Sequence, residues 1–215
     1  MAIKGLSLPV FGTYTNESGT VTYADPTIMD KAVEYSLSWT TGDDNPFYAD
    51  NGIAENDKGT FQGGELTLTT ADLSQEVSKK ILGTKIVKET YSNEKQADVQ
   101  VFDDDYNPPY LGVGVVEMHQ VNDANRYRAV FLHKVHFNVP EGAATTKGED
   151  VDWQTPEITG AVTRSDATGS GGTHPWMSDA WFDTESEALL WLKFKCGASA
   201  ASNTQAAKST KPVES

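Results

Sequence analysis

The tetrapeptide Gly169-Ser170-Gly171-Gly172 sets a serine among glycines, as a nucleophile loop does. The acidic residue that precedes such a serine is missing, and no nucleophile elbow or base-orienting motif accompanies it, so acyl transfer is not expected. His133 and His136 are of the type a zinc site needs, but three positions apart on a strand they point to opposite faces and cannot share an ion. They read as one core histidine and one outside. Acidic residues crowd the stretch 41–59 and the triplet Asp103-Asp104-Asp105. A calcium loop needs Asp-x-Asp-x-Asx-Gly spacing, which is absent, so turn chemistry and solvation account for both stretches. Cys196 is the single cysteine; it excludes an internal disulfide, fits a reducing compartment and reads as a small buried hydrophobe. No phosphate-cradling glycine loop, paired metal-binding cysteines or dinucleotide fingerprint occurs. Neither an enzyme nor a bound cofactor or metal is expected.

The elements that would position any site are plainest between Tyr110 and Pro140, which reads as two long strands and a turn at Asn122-Asp123-Ala124-Asn125. Side chains alternate along a strand, so Val113, Val115, Glu117 and His119 share one face of the first strand and Gly112, Gly114, Val116, Met118 and Gln120 the other. In the second strand Tyr127, Ala129, Phe131, His133, Val135 and Phe137 oppose Arg126, Arg128, Lys134, His136 and Asn138, with Val130 and Leu132 also on the second face. Neither Pro nor a central Lys blocks pairing at the edges of this hairpin, a first hint of assembly. Lys31–Thr40 alternates Val33, Tyr35, Leu37 and Trp39 against Glu34, Ser36 and Ser38; Phe61–Thr70 sets Leu66 and Leu68 against Glu65, Thr67 and Thr69. The stretch 41–59 between them, rich in Gly, Asp and Asn and carrying Pro46, reads as a loop long enough to be functional or to order against a partner.

One helix is expected after Thr70: Asp72 caps it, Gln75 follows three residues on, Gly83 stops it, and Leu73, Val77, Ile81 and Leu82 make its apolar stripe. Shorter strands are expected over Ile86–Tyr91 and Ala97–Phe102, and further strands over Gln154–Arg164 and Trp176–Phe182 either side of a disordered glycine tract. A second amphipathic segment, capped by Thr184, carries Leu189, Leu190, Leu192 and Phe194. Residues 1–18 read as an N-terminal arm, 19–196 as one β domain, and 197–215 as a flexible tail by composition.

Composition narrows the class. The 215 residues can bury one core, and 38% apolar content is ordinary to low. A net charge of −14 and a pI near 4.6 argue against a surface that grips nucleic acid. The N-terminus shows no secretory h-region or cleavage pattern, and no window approaches the roughly 18 apolar residues of a membrane span. The expectation is a soluble protein made in the cytoplasm, without a membrane partner.

Several runs together resemble the major tail protein family of long-tailed, non-contractile bacteriophages, which builds the tail tube. They are PFYADNG at 46–52, GELTLTTADLS at 64–74, YLGVG at 110–114 and RYRAVFLHKVHFNVPEGAATTKGEDVDWQTPEITG at 126–160. The resemblance covers roughly residues 20–195 and leaves out the N-terminal stretch and the Ala/Ser/Thr-rich end. It implies a mainly β, sandwich- or barrel-like tail-tube fold with one flanking α-helix and long inter-subunit loops. It also implies a structural virion protein, assembled in the host cytoplasm and located in the tail, that polymerises as stacked hexameric rings around the path of ejected DNA. The partners it implies are further copies of the chain, tail-tip or baseplate and tail-terminator proteins, and the tape measure protein. DNA would pass through the lumen without specific binding. By the same resemblance the loop residues Asp43, Asp44, Asn45, Pro46, Phe47, Tyr48, Asp50, Asn51, Ile53 and Asp57 would join adjacent rings. The strands over 33–39, 64–70, 111–120 and 126–138 would supply an inner sheet, with Glu34, Ser36, Ser38, Glu65, Thr67, Thr69, Glu117 and His119 as its polar face. A rival from another class is a monomeric carbohydrate-binding β-sandwich stacking sugars on Trp153, Trp176, Trp181 and Trp191. A tail-associated hydrolase would need a catalytic pair that the sequence does not offer.

Overall fold

Strands make up most of the chain in the computed structural model, which describes residues 2–49, 52–71, 73–92, 95–104, 106–121, 124–140, 155–169 and 172–198. In order they are β1 (Ala2–Glu17), β2 (Thr20–Ile28), β3 (Ala32–Thr41), β4 (Asn45–Ala49), β5 (Gly52–Asp57) and β6 (Phe61–Thr70). Helix α1 (Gln75–Leu82) follows, then β7 (Lys85–Ser92), β8 (Lys95–Val101), β9 (Leu111–Val121), β10 (Ala124–Phe137) and β11 (Glu157–Val162). The short pair β12 (Thr168–Gly169) and β13 (Gly172–Thr173) leads to β14 (Met177–Phe182) and α2 (Glu185–Lys195). Eight strands join in one antiparallel sheet in the order β2-β1-β9-β10-β11-β6-β3, with β14 also paired to β10. β4–β5, β7–β8 and β12–β13 are separate two-stranded hairpins.

β10 bends this sheet back on itself. Tyr127 to Leu132 pair with β14, whereas Val135 to Phe137 pair with β11. The ladder with β9 is irregular between Leu132 and Val135, and an extra residue there turns the remainder of the strand onto the other face. Val130 and Leu132 before the bulge therefore share the main core with Val135 and Phe137 after it. The unbroken alternation expected for this strand holds only as far as the bulge. Ile158, Val162, Leu66 and Leu68, with the half-buried Tyr35 and Leu37, extend the same face through β11, β6 and β3. The two arms of the sheet thus enclose one core as a sandwich, which the apolar residues of α1 enter through Val77, Ile81 and Leu82.

The outer face is half covered. Ala188 and Leu192 of α2 and its C-cap Cys196 pack on Val10, Val116, Ala129 and Phe131. A Cβ at Gly114 would lie 2.6 Å from a Leu192 methyl carbon, and one at Gly12 would lie 2.7 Å from the Cys196 carbonyl oxygen, so the helix seats only on glycine. Thr184 caps α2 by accepting from the Glu187 amide, as the sequence indicates. For α1 the cap is Ser74, whose hydroxyl accepts from the Val77 amide, and not Asp72, which lies outside the described residues. Gly83 ends α1 at φ 68°, a left-handed conformation that favours glycine.

Other expectations change as well. The N-terminal stretch is no arm. β1 pairs with β9 from Ala2 to Thr13 and with β2 from Val10 to Glu17, which its breaks at Gly5, Pro9 and Gly12 conceal. The loop over 41–59 contains the β4–β5 hairpin, and the glycine tract contains β12–β13. The outer edges of β9 and β10 are taken by β1, β11 and β14, so among the described residues the open edges of the sheet lie at β2, β3 and β14. The tail from residue 199 onward lies outside the described residues.

Candidate functional site

Three features stand out on this scaffold: a bare polar sheet face, a projecting acidic hairpin, and a buried ionic network beside an open slot. The polar face is a product of register. Glu34 stands opposite Thr69, Ser36 opposite Thr67 and Ser38 opposite Glu65, and β11 continues the rows with Glu157 beside Thr69 and Thr159 beside Thr67. Directly opposed residues share a face, so these side chains form one outer surface that alternates carboxylates with hydroxyls. Six of the residues expected on an inner polar face, Glu34, Ser36, Ser38, Glu65, Thr67 and Thr69, are brought together here. Glu117 and His119 are not: they lie on the opposite, inward face, 3% and 6% exposed.

There Glu117 is the centre of a network across the closed sandwich. The Tyr35 hydroxyl on β3 donates to its Oε1. His119 Nε2 lies 2.9 Å and an Arg128 terminal nitrogen 3.4 Å from its Oε2. Arg128 Nε also donates to Asp179 on β14 at 2.9 Å. Burial pushes the Glu117 carboxyl up, but the hydrogen bonds from Tyr35 and His119 and the charge of Arg128 outweigh it and hold the group below its usual range. Burial, and then the bond to this carboxylate, push the Tyr35 hydroxyl well above its usual value. The His119 ring packs 4.9 Å from Trp181, and its Nδ1 is buried without a hydrogen-bond partner. Next to the network a slot of about 320 Å³ opens between β3 and β10, lined by Tyr35, Leu37 and Trp39 on one side and Arg128 and Val130 on the other, with Ile3 of β1 and Met177 of β14.

The β4–β5 hairpin leaves the end of this sheet between β3 and β6. Its base is tied where Asp44 accepts from the Gly59 amide and the Asn56 side chain, bonds that hold the Asp44 carboxyl below its usual range. Gly42 donates to the Thr60 carbonyl one step inward. Phe47 and Tyr48 are 65% and 64% exposed, while Asp43 and Asn45 are exposed and Pro46 half-buried. Asp50 and Asn51 lie outside the described residues; Ile53 and Asp57 belong to β5. The second hairpin, β7–β8, also stands apart from the main sheet and exposes Val87 and Tyr91.

Three cations of the central hairpin are each matched to a carboxylate. Arg126 pairs with Asp183 at 2.7 Å, Arg128 with Glu117 and Asp179, and Lys134 with Asp166 at 2.7 Å. Lys134 also lies over the rings of Tyr14 and Tyr110.

The bulge in β10 removes the opposite-face argument for His133 and His136, yet their neighbours differ. His133 meets the Tyr23 hydroxyl and Ser178, and His136 meets the Tyr110 ring. Burial, with the nearby charge of Lys195, lowers His133 to about 4. Among the described residues no three His, Cys, Asp or Glu side chains gather as a metal site would need, and Asp103 is tied to Lys85. Ser170 and Asp105 are outside the described residues. Among the described residues no helix is long and apolar enough to cross a membrane. The burial of Glu117 escaped sequence reasoning, although its place among Val113, Val115 and His119 on one face was a usable signal. No protein-family model matches this chain, and no curated protein matches it.

Proposed function

We propose that this chain is a tail-tube subunit of a long-tailed phage, assembling as stacked rings that form a conduit for DNA. The observation that carries the reading is the in-register polar face of β3, β6 and β11, placed at an end of the sheet where β3 has no second strand partner among the described residues. Such an edge invites a strand from another subunit, and closing a ring of sheets removes it. A surface of Glu34, Glu65 and Glu157 among hydroxyls would face the channel. Its carboxylates repel phosphate, and the pairing of Arg126, Arg128 and Lys134 within the chain leaves them little to hold DNA with. Six copies would multiply the chain's charge of −14, in keeping with a lumen that DNA crosses without adhering. The β4–β5 hairpin, with its tied base and exposed aromatic pair, suits a connector between rings.

The test is negative-stain electron microscopy of concentrated protein beside a sizing column, with tail-tip complexes added if no polymer forms unaided. Rings or hollow filaments with a regular axial repeat are expected. A monomer that stays monomeric with the nucleating complexes present, and that is retained on a polysaccharide matrix, would replace the tube reading with the sugar-binding one. Deleting residues 47–57 should leave a folded monomer that no longer polymerises; tubes of normal length from that variant would remove the hairpin from the assembly.

A further inference from the structure

We infer that the slot between β3 and β10 binds one neutral pyranose ring, a site apart from the tube reading and independent of whether the chain polymerises. Its opening of about 320 Å³ lies at the small end of ligand pockets, which run from about 300 to 1,000 Å³. Leu37, Val130 and Met177 give it apolar walls, and Tyr35, Ser36 and Arg128 give it polar groups. Charge selects among ligands first. An anion would meet a chain of net charge −14 and a guanidinium whose charge Glu117 and Asp179 already answer. A cation would meet that guanidinium directly. A neutral ligand escapes both repulsions.

The hydrogen bonds left over select next. Arg128 gives its Nε to Asp179 and one terminal nitrogen to Glu117. Among the described residues its other terminal nitrogen has no partner, which leaves donors for a ligand. The Tyr35 hydroxyl has committed its proton to Glu117 and is left to accept, while Ser36 can do either. Neighbouring hydroxyl groups, each a donor and an acceptor, match that set, and the C–H face of a sugar ring matches an aromatic wall. Trp39 supplies the wall and is held in place. It stands opposite Gly64 in the ladder, where a Cβ would come within 2.5 Å of the indole, and Phe61 meets it edge-on at 5.8 Å. It is nonetheless 39% exposed, a fixed amphipathic ring that orders little on contact. The tryptophans expected from the sequence to stack sugars are engaged elsewhere: Trp176 on Phe61 at 4.5 Å, Trp181 on His119 at 4.9 Å and Trp191 against Phe182. Trp153 lies outside the described residues.

The test is saturation-transfer NMR on the full-length chain with the methyl glycosides of glucose, galactose, mannose and N-acetylglucosamine. Transfer to at least one of the four is expected, strongest on the protons of one ring face. Trp39→Ala should weaken its binding roughly tenfold, as the loss of one stacked ring implies, and so should Gly64→Ala, whose added Cβ displaces the indole. Leu37→Trp fills the slot and should abolish the signal, whereas Trp191→Phe, on the opposite face of the sheet, should leave it unchanged. If Leu37→Trp does not fold, Trp39→Ala decides, since its exposed position tolerates the change. Transfer that persists undiminished in Trp39→Ala overturns the site, and the absence of transfer to all four glycosides overturns the ligand class.

Discussion

Replacing Glu117 by Gln keeps the shape of the side chain and removes its charge, which isolates what the buried carboxylate does. In the native protein it accepts from the Tyr35 hydroxyl, from His119 Nε2 at 2.9 Å and more weakly from Arg128 at 3.4 Å. A hydrogen bond to a charged acceptor is worth about 1 kcal/mol more than one to a neutral acceptor, so two good ones give about 2 kcal/mol. Two effects limit the loss. Arg128 retains Asp179 and is not stranded, and the variant escapes the desolvation of a buried carboxylate. Glu117→Gln should therefore unfold with about 2 kcal/mol less stability at pH 7, a lower urea midpoint at unchanged slope. The pH dependence gives the sharper check. The folded carboxyl lies below its ordinary value of 4.5, so its stabilisation is fully present above that value and is lost as pH falls through the folded pKa. The gap between native and variant should be constant from neutral pH to about 5 and close in more acidic solution. A gap within about 0.5 kcal/mol of zero at pH 7, the size of an ordinary surface substitution, would refute the network as a fastening. So would a gap that does not change on acidification.

Other outcomes rest on the same geometry. Gly12→Ala forces a Cβ to within 2.7 Å of the Cys196 carbonyl oxygen and 2.8 Å of its Cα, and should cost about 2 kcal/mol by thermal unfolding; an unchanged midpoint would mean the end of α2 sits elsewhere. Thr184→Ala removes the hydroxyl that accepts from the Glu187 amide, and a loss of about 1 kcal/mol is expected, recovered in Thr184→Asp. His133, lowered from 6.5 to about 4 by burial, resists protonation when folded but not when unfolded, so native stability declines as pH drops from 6.5 towards 4. His133→Gln should flatten that slope in urea titrations at a series of pH values, and an unaltered slope would assign it to another group. The Cys196 thiol, pushed up to about 12 by burial, should react with a thiol reagent only after unfolding; rapid modification of the native chain would contradict its packing against Val10 and α2.

Local alternation carried much of this architecture into the sequence. Because side chains point to opposite faces at each step of a strand, the spacing of Glu34, Ser36, Ser38, Glu65, Thr67 and Thr69 was enough to put each trio on one face of its strand. The cap at Thr184, the stop at Gly83 and the apolar stripe Val77, Ile81 and Leu82 are likewise local, and all three stand in the structure. The mainly β class comes from the same signals.

Tertiary structure decided what depends on residues distant in the chain. β1 is a strand because β2 and β9 pair with it, a gain in backbone hydrogen bonds that its glycines and Pro9 do not advertise. The bulge at Leu132–Val135 reassigns Val135, Phe137 and His136 between faces, and only the change of partner from β14 to β11 marks its place. Glu117 shares its strand face with Val113 and Val115, and that face is enclosed because β3 folds over it and brings the Tyr35 hydroxyl from 82 positions away. Strand periodicity distinguishes two faces but cannot say which is enclosed. That is settled by where the chain closes, which here is a matter of long-range pairing.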